Sequence, residues 1–187
     1  MIKFLLLCLI PMMVFSGQLD IGKNEKNIGI EVNPFRVLLQ ESDHNSLSGS
    51  LSFFLEDQNT EIRFPFFWDR DTWDGYSDTT TTIDTEYRYY IDNSGVGGLF
   101  IGGLARLAML DNEETNKDTM KLGAGFTLGY RYMPEGSNWY AGVSISVIRY
   151  FSGENHIFGK GGIDTTWLDN DTKGIIDVDL FKIGYRF

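Results

Sequence analysis

The chain has 187 residues, 42% hydrophobic and 14% aromatic, with 26 acidic against 16 basic side chains for a net charge of -10. That length holds one domain, its single cysteine, Cys8, excludes a disulfide scaffold and a cysteine-based metal site, and its acidity argues against a nucleic-acid binder, which neutralises phosphates with lysine and arginine. A mean hydropathy of -0.17 with only one long apolar run argues equally against a bundle of membrane helices.

That run opens the chain. Met1-Ile2-Lys3 is followed by apolar residues from Phe4 to Phe15, and Val14-Phe15-Ser16-Gly17 supplies small residues at its exit. The pattern predicts a secretory signal over 1–16, cut after Ser16, with Gly17 the next choice. A buried N-terminal helix is disfavoured because Pro11 would interrupt it. Cys8 lies inside the apolar core with no small residues beside it, which speaks against a lipid-anchored cysteine.

From there on, apolar residues recur at every second position, the signature of strands with two unlike faces. In chain order the predicted strands are Ile28-Ile30-Val32; Leu47, Leu51, Phe53 and Leu55; Ile62, Phe64, Phe66 and Trp68; and Ile83, Thr85, Tyr87, Tyr89 and Ile91. Next come Leu99, Ile101, Gly103, Ala105, Leu107 and Met109, then the clearest, Met120, Leu122, Ala124, Phe126, Leu128, Tyr130 and Tyr132. Trp139, Ala141, Val143, Ile145, Val147 and Phe151 form the seventh, and the eighth runs from about Ile175 to Phe187. Pro65 lacks a ladder donor and predicts a local irregularity in the third strand. In the last strand Ile176, Val178 and Leu180 share one parity and Phe181, Ile183, Tyr185 and Phe187 the other, so a β-bulge is expected near Leu180.

The connections alternate. Segments 57–60, 92–98 and 133–138 read as short turns, whereas 34–46, 69–78, 111–118 and 152–174 read as long loops in which acids outnumber bases. Short turns on one side and long loops on the other, with both termini on the short side, predict an all-β fold: an eight-stranded antiparallel up-and-down transmembrane β-barrel over 17–187. A water-soluble lipocalin-like barrel is the alternative. The polar set argues against it, because it mixes Glu61, Arg63, Asp84, Glu86, Arg88, Arg106, Lys121, Arg131, Asp177, Asp179, Lys182 and Arg186 with glycines and serines. Such a set suits a narrow lumen filled by its own side chains. The apolar set is banded, with Tyr89, Tyr130, Tyr132, Trp139, Tyr185 and Phe187 towards the short turns and Trp68, Met109 and Phe151 towards the loops, as in the girdles of a membrane barrel. With Glu31 and Glu56 added, lumenal acids balance lumenal bases, which predicts a structural ion-pair plug in preference to a path for protons or small ions. Arg149 has outward parity near the loop ends and is expected to snorkel.

The ending Phe181-Lys182-Ile183-Gly184-Tyr185-Arg186-Phe187 resembles the C-terminal assembly signature of Gram-negative outer-membrane proteins, carried by Phe181, Ile183, Tyr185 and Phe187. With the signal, the strand count and the loop asymmetry, the mature chain resembles the small barrels typified by OmpX and the transmembrane domain of OmpA. That resemblance implies the outer membrane, periplasmic termini, contact with lipid and lipopolysaccharide, and insertion by the barrel-assembly machinery. It implies no activity.

Catalytic candidates are few. His44-Asn45-Ser46, with Asp43 beside it, resembles the histidine, serine and acid of the lipid A deacylase barrels, which implies an acyl hydrolase as the alternative function; a narrow channel is the other alternative. In those enzymes the pair sits on a strand facing lipid, whereas here it falls in a predicted loop. His156 lacks a convincing nucleophile. No cofactor or metal is predicted, since neither histidine has a second one at ligand spacing and Asp69-Arg70-Asp71-Thr72-Trp73-Asp74-Gly75 lacks calcium-loop spacing, with Thr80 where a bidentate glutamate belongs. The acidic loops are expected to be a solvated contact surface, with divalent cations or a basic partner as candidate ligands.

Overall fold

The computed structural model describes residues 27–34, 43–55, 59–91, 97–113, 117–151 and 174–187. Eight strands, β1 (Ile28–Val32), β2 (His44–Phe54), β3 (Thr60–Trp73), β4 (Tyr76–Tyr90), β5 (Gly98–Asn112), β6 (Lys117–Tyr132), β7 (Trp139–Tyr150) and β8 (Gly174–Arg186), pair antiparallel in sequence order. The sheet closes through β1 and β8, where Ile30 pairs with Tyr185 and Val32 with Ile183. An all-β, eight-stranded, up-and-down barrel is therefore what the period-two pattern builds. The expected signal at 1–16 and its cut after Ser16 lie outside the described residues, as do Glu56, His156 and nearly all of the loop at 152–174.

The two parities separate as expected. Ile30, Val32, Tyr87, Ile101, Phe126, Leu128, Tyr130, Val147 and Phe187 are exposed on the outer wall, and Arg149 is exposed there too. The lumenal residues Glu31, Glu61, Arg63, Asp84, Glu86, Arg88, Lys121, Arg131 and Lys182 are buried, while Arg106, Asp177, Asp179 and Arg186 are partly so. The bulge is present: β7 and β8 pair Gly142 with Lys182 but Ser144 with Asp179, so Leu180 and Phe181 together oppose Val143. Both are exposed, and the extra residue returns Ile183 and Tyr185 to the outer parity. Pro65 leaves its trace as well. The β3–β4 ladder resumes at Phe66 with Ile83 after Arg63 with Glu86, skipping Phe64 and Pro65, yet the strand continues through it to Trp73.

Three loop boundaries need correction. The predicted loop 69–78 is almost entirely strand, because Asp74-Gly75 makes a two-residue hairpin between β3 and β4 with positive φ at both residues, 46° and 85°. That geometry matches the twist of the flanking strands, and Asp-Gly supplies it at low cost. The predicted loop 111–118 shrinks because β5 reaches Asn112 and β6 starts at Lys117. The predicted loop 34–46 loses its end to β2, which starts at His44 and pairs with Asp71. Alternating aspartates suit strands here because Asp69 and Asp71 turn inward while Arg70 turns out.

The lumen is not wholly polar, which the sequence reading missed. Phe54, Tyr90 and Phe100, with Met133, form an apolar cluster towards the short turns, and Leu104, Ala108, Ile148 and Tyr150, with Leu110 and Ile175, form another towards the loops. Lumenal glycines make the room. A Cβ on Gly129 would collide with the Phe100 ring and the Val143 carbonyl oxygen. Without side chains at such positions, rings from facing strands fill an interior only wide enough for its own residues.

Candidate functional site

Two groups of side chains in the lumen bear on function: an ion-pair network across its middle, and a cluster at its loop-end mouth. The network follows from strand register. Glu61 and Arg88 are cross-strand partners on β3 and β4, as are Arg63 and Glu86, and Asp84 on β4 faces Arg106 on β5. Each pair begins as a neighbour on the lumenal face, and the small bore then lets long side chains reach strands on the far wall.

Arg63 donates from one terminal nitrogen to Glu86 at 3.1 Å, from Nε to the Ser50 hydroxyl at 2.7 Å, and from its other terminal nitrogen to Glu31. Arg88 donates from Nε to Glu86 at 2.8 Å. Arg131 reaches across from β6, donating to Glu61 at 2.9 Å with Glu31 at 3.6 Å, while the Tyr90 hydroxyl donates to the other Glu61 oxygen at 2.6 Å. Lys182 bridges Asp179 at 2.7 Å and donates to Ser144 at 2.8 Å. Closer to the loop end, Arg106 forms a two-pronged pair with Asp84, 2.7 and 2.8 Å, and a further pair with Asp177. Multiple charge-assisted bonds to each carboxylate offset the desolvation that isolated buried charges would suffer.

The guanidinium faces are used too. Arg131 lies 4.2 Å from the Tyr140 ring centre and 5.2 Å from that of Tyr90, and Arg88 lies 4.2 Å from that of Phe100. Arg186, expected in the network, sits over the Phe54 ring at 4.8 Å. The network therefore merges with the aromatic cluster below it. A cavity of about 50 Å³ remains between the Arg63 and Arg106 groups, bordered by Glu31, Asp84, Glu86 and Asp177, a space on the scale of a few water molecules. Charges of both signs line it, five carboxylates against Arg63, Arg106 and Lys182.

At the mouth, the catalytic candidates take positions that the sequence did not foresee. His44 and Ser46 lie on β2 with lumenal parity, and Ser46 is buried opposite Asp69. Asp43 sits in the turn before the strand, exposed, and its carbonyl accepts the Thr72 N–H at 2.7 Å. The acids that meet the histidine are instead Asp71, 2.6 Å from Nδ1, and Asp69, 3.3 Å from Nε2. Each ring nitrogen thus has a carboxylate beside it, Asp71 at hydrogen-bond distance and Asp69 at ion-pair distance. Asp69 and Asp71 fall within the loop that the sequence predicts over 69–78. The Asp-Gly hairpin signal at 74–75 would have drawn β3 and β4 through them and put both on the lumenal face.

The four residues of the terminal signature lie on the outer wall. The Tyr185 ring packs edge-on against Trp139, 4.8 Å between centres, and against Phe187 at 4.9 Å. With Tyr89, Tyr130 and Tyr132 they make an aromatic band next to the short turns. Compared with known proteins, the chain matches no family model, and no curated protein or solved structure is significantly similar to it.

Proposed function

We propose that this protein is an integral outer-membrane barrel with a structural or surface-interaction role, its lumen closed and its acidic loop end the contact surface. The observation that carries the reading is the outer wall. Phe126 is 79% exposed, Leu128 52%, Ile101 50% and Val147 56%, forming an apolar face, broken by Arg149, between the aromatic band and the Trp68, Met109 and Phe151 level. Such a face is far beyond what a water-soluble monomer presents, and it has the form of a lipid-facing band with interfacial aromatics. The terminal signature supports assembly by the barrel-insertion machinery, and the strand order supports periplasmic short turns.

A closed-lumen, non-conducting role fits the two apolar clusters and the paired charges between them. An acyl hydrolase fits less well, because Ser46 faces the lumen and both His44 nitrogens face aspartates. Expression of the full precursor in a Gram-negative host tests the reading. The protein is expected in the outer-membrane fraction, with faster gel migration before boiling than after, and without steady unitary conductance in planar bilayers. Recovery as a water-soluble monomer would overturn the location. Acyl release from lipopolysaccharide, abolished by Ser46→Ala, would replace the structural role with the hydrolase.

A further inference from the structure

We propose that the mouth of the barrel holds a divalent transition-metal ion, Zn²⁺ being the representative, between His44 Nε2 and Asp69, with Asp71 behind the imidazole as its orienting carboxylate. Acidic rims are common and are ordinarily only solvated. Here the imidazole sets the cluster apart. A neutral imidazole has one N–H and one lone pair. If Nδ1 donates its proton to Asp71 at 2.6 Å, Nε2 carries a lone pair and lies 3.3 Å from an Asp69 oxygen. Two lone-pair atoms at that separation repel unless a cation lies between them. Ligands bonded to one tetrahedral ion at about 2.0–2.1 Å are themselves about 3.3–3.4 Å apart, so the Nε2–Asp69 separation is an edge of such a polyhedron.

The remaining contacts fit the same assignment. Asp71 on Nδ1 is the carboxylate that orients metal-ligating histidines and raises their basicity. The ligand atoms offered by His44, Asp69 and Asp71 all lie within 4.8 Å of one another. Asp69 is deeply buried, with 4% of its side chain exposed, whereas His44 is 32% exposed, so the site is walled on one side and open to water on the other. The register adds charge, since Asp78 pairs with Asp71 across β3–β4 and Thr80 with Asp69. Two aspartates thus meet the imidazole and a third stands across the ladder from one of them, with Lys121 the lumenal base contributed by the adjacent row through Thr82 and Ala108. All the ligands are carried on paired strands, which fixes their spacing without a loop having to order around the ion. An imidazole with carboxylates selects zinc and its neighbours over calcium, which takes oxygen ligands alone. Fewer than four protein ligands leaves a coordination position facing water, where an external anionic group can bind. The site lies within the β2–β3–β4 sheet, so it stands whether or not the barrel is in a membrane.

The test is titration of the refolded, chelator-stripped protein with Zn²⁺, and with Co²⁺ as a visible-absorption reporter of a nitrogen ligand. One equivalent is expected to bind. His44→Gln should weaken binding at least about 100-fold and Asp71→Asn about 10–100-fold, the range found when the carboxylate behind a ligating histidine is changed. His156→Gln should leave it unchanged. In the wild type, Zn²⁺ should also protect His44, but not His156, from diethyl pyrocarbonate, a readout that needs no variant to fold. Absence of stoichiometric binding, leaving His44 as an imidazolium bridge, overturns the proposal. So does binding that survives His44→Gln in folded protein, or that vanishes with His156→Gln.

Discussion

Replacement of Arg131 by methionine is expected to destabilise the barrel by about 3–5 kcal/mol, the cost of leaving a buried carboxylate without its partner. Arg131 is 1% exposed and holds Glu61, itself 0% exposed, at 2.9 Å, while its guanidinium face covers the Tyr140 and Tyr90 rings. Methionine replaces much of the side-chain volume but none of the charge. Glu61 would keep the Tyr90 hydroxyl and an Arg88 contact at 3.9 Å, and Glu31 would lose its 3.6 Å neighbour. The measurement is urea unfolding of the refolded protein under conditions where folding is reversible. The double change Glu61→Gln with Arg131→Met should recover most of the loss, because it removes the uncompensated charge together with its partner. A single-variant cost below about 1 kcal/mol, the value of an exposed ion pair, would mean that water fills the bore.

The second large effect concerns the opposite face of the same strand. Phe126 is midway between Met120 and Tyr132 on the outward stripe of β6 and is 79% exposed. In lipid, Phe126→Arg should cost about 2–4 kcal/mol, the penalty for a guanidinium at the bilayer midplane. In water the same change at so exposed a position should stay within about 0.5 kcal/mol. Arg149 is the internal comparison: it already projects outward, opposite Ala124 and one outward position nearer the loop end than Phe126, and Arg149→Leu should cost little because leucine needs no snorkelling there. The contrast between the two positions separates a lipid-embedded wall from a merely apolar one.

The strands, the closure and the bulge were legible because a half-buried strand has a period of two and a single extra residue reverses it. Leu180-Phe181 is a break in that period which no other feature of the chain explains. The lumenal charges were legible for the same reason. The apolar clusters of the lumen were not, because Phe54, Phe100 and Ile148 sit beside the outward residues Phe53, Ile101 and Val147, so both faces are apolar over a short run and parity alone cannot assign them. Runs such as Leu99-Phe100-Ile101 carry the signal of a segment covered on both sides. The mouth cluster was hidden by register. His44 and Asp71 are 27 residues apart, and they meet only once β2 and β3 extend beyond the level of Trp68. A run of aspartates reads as loop until Asp74-Gly75 is recognised as the turn, and then its alternating members become lumenal.

The central claim is that the apolar parity faces lipid, and the most direct measurement of it is a depth profile along β6. Single cysteines in place of Met120, Leu122, Ala124, Phe126, Leu128, Tyr130 and Tyr132, in protein made from position 17 onward and so without Cys8, would carry a nitroxide label after reconstitution into bilayers. Oxygen access relative to a water-soluble nickel reagent should rise from Met120 to a maximum near Phe126 and fall again to Tyr132. A profile in which all seven labels are equally open to the water-soluble reagent would contradict the membrane barrel and leave a soluble one.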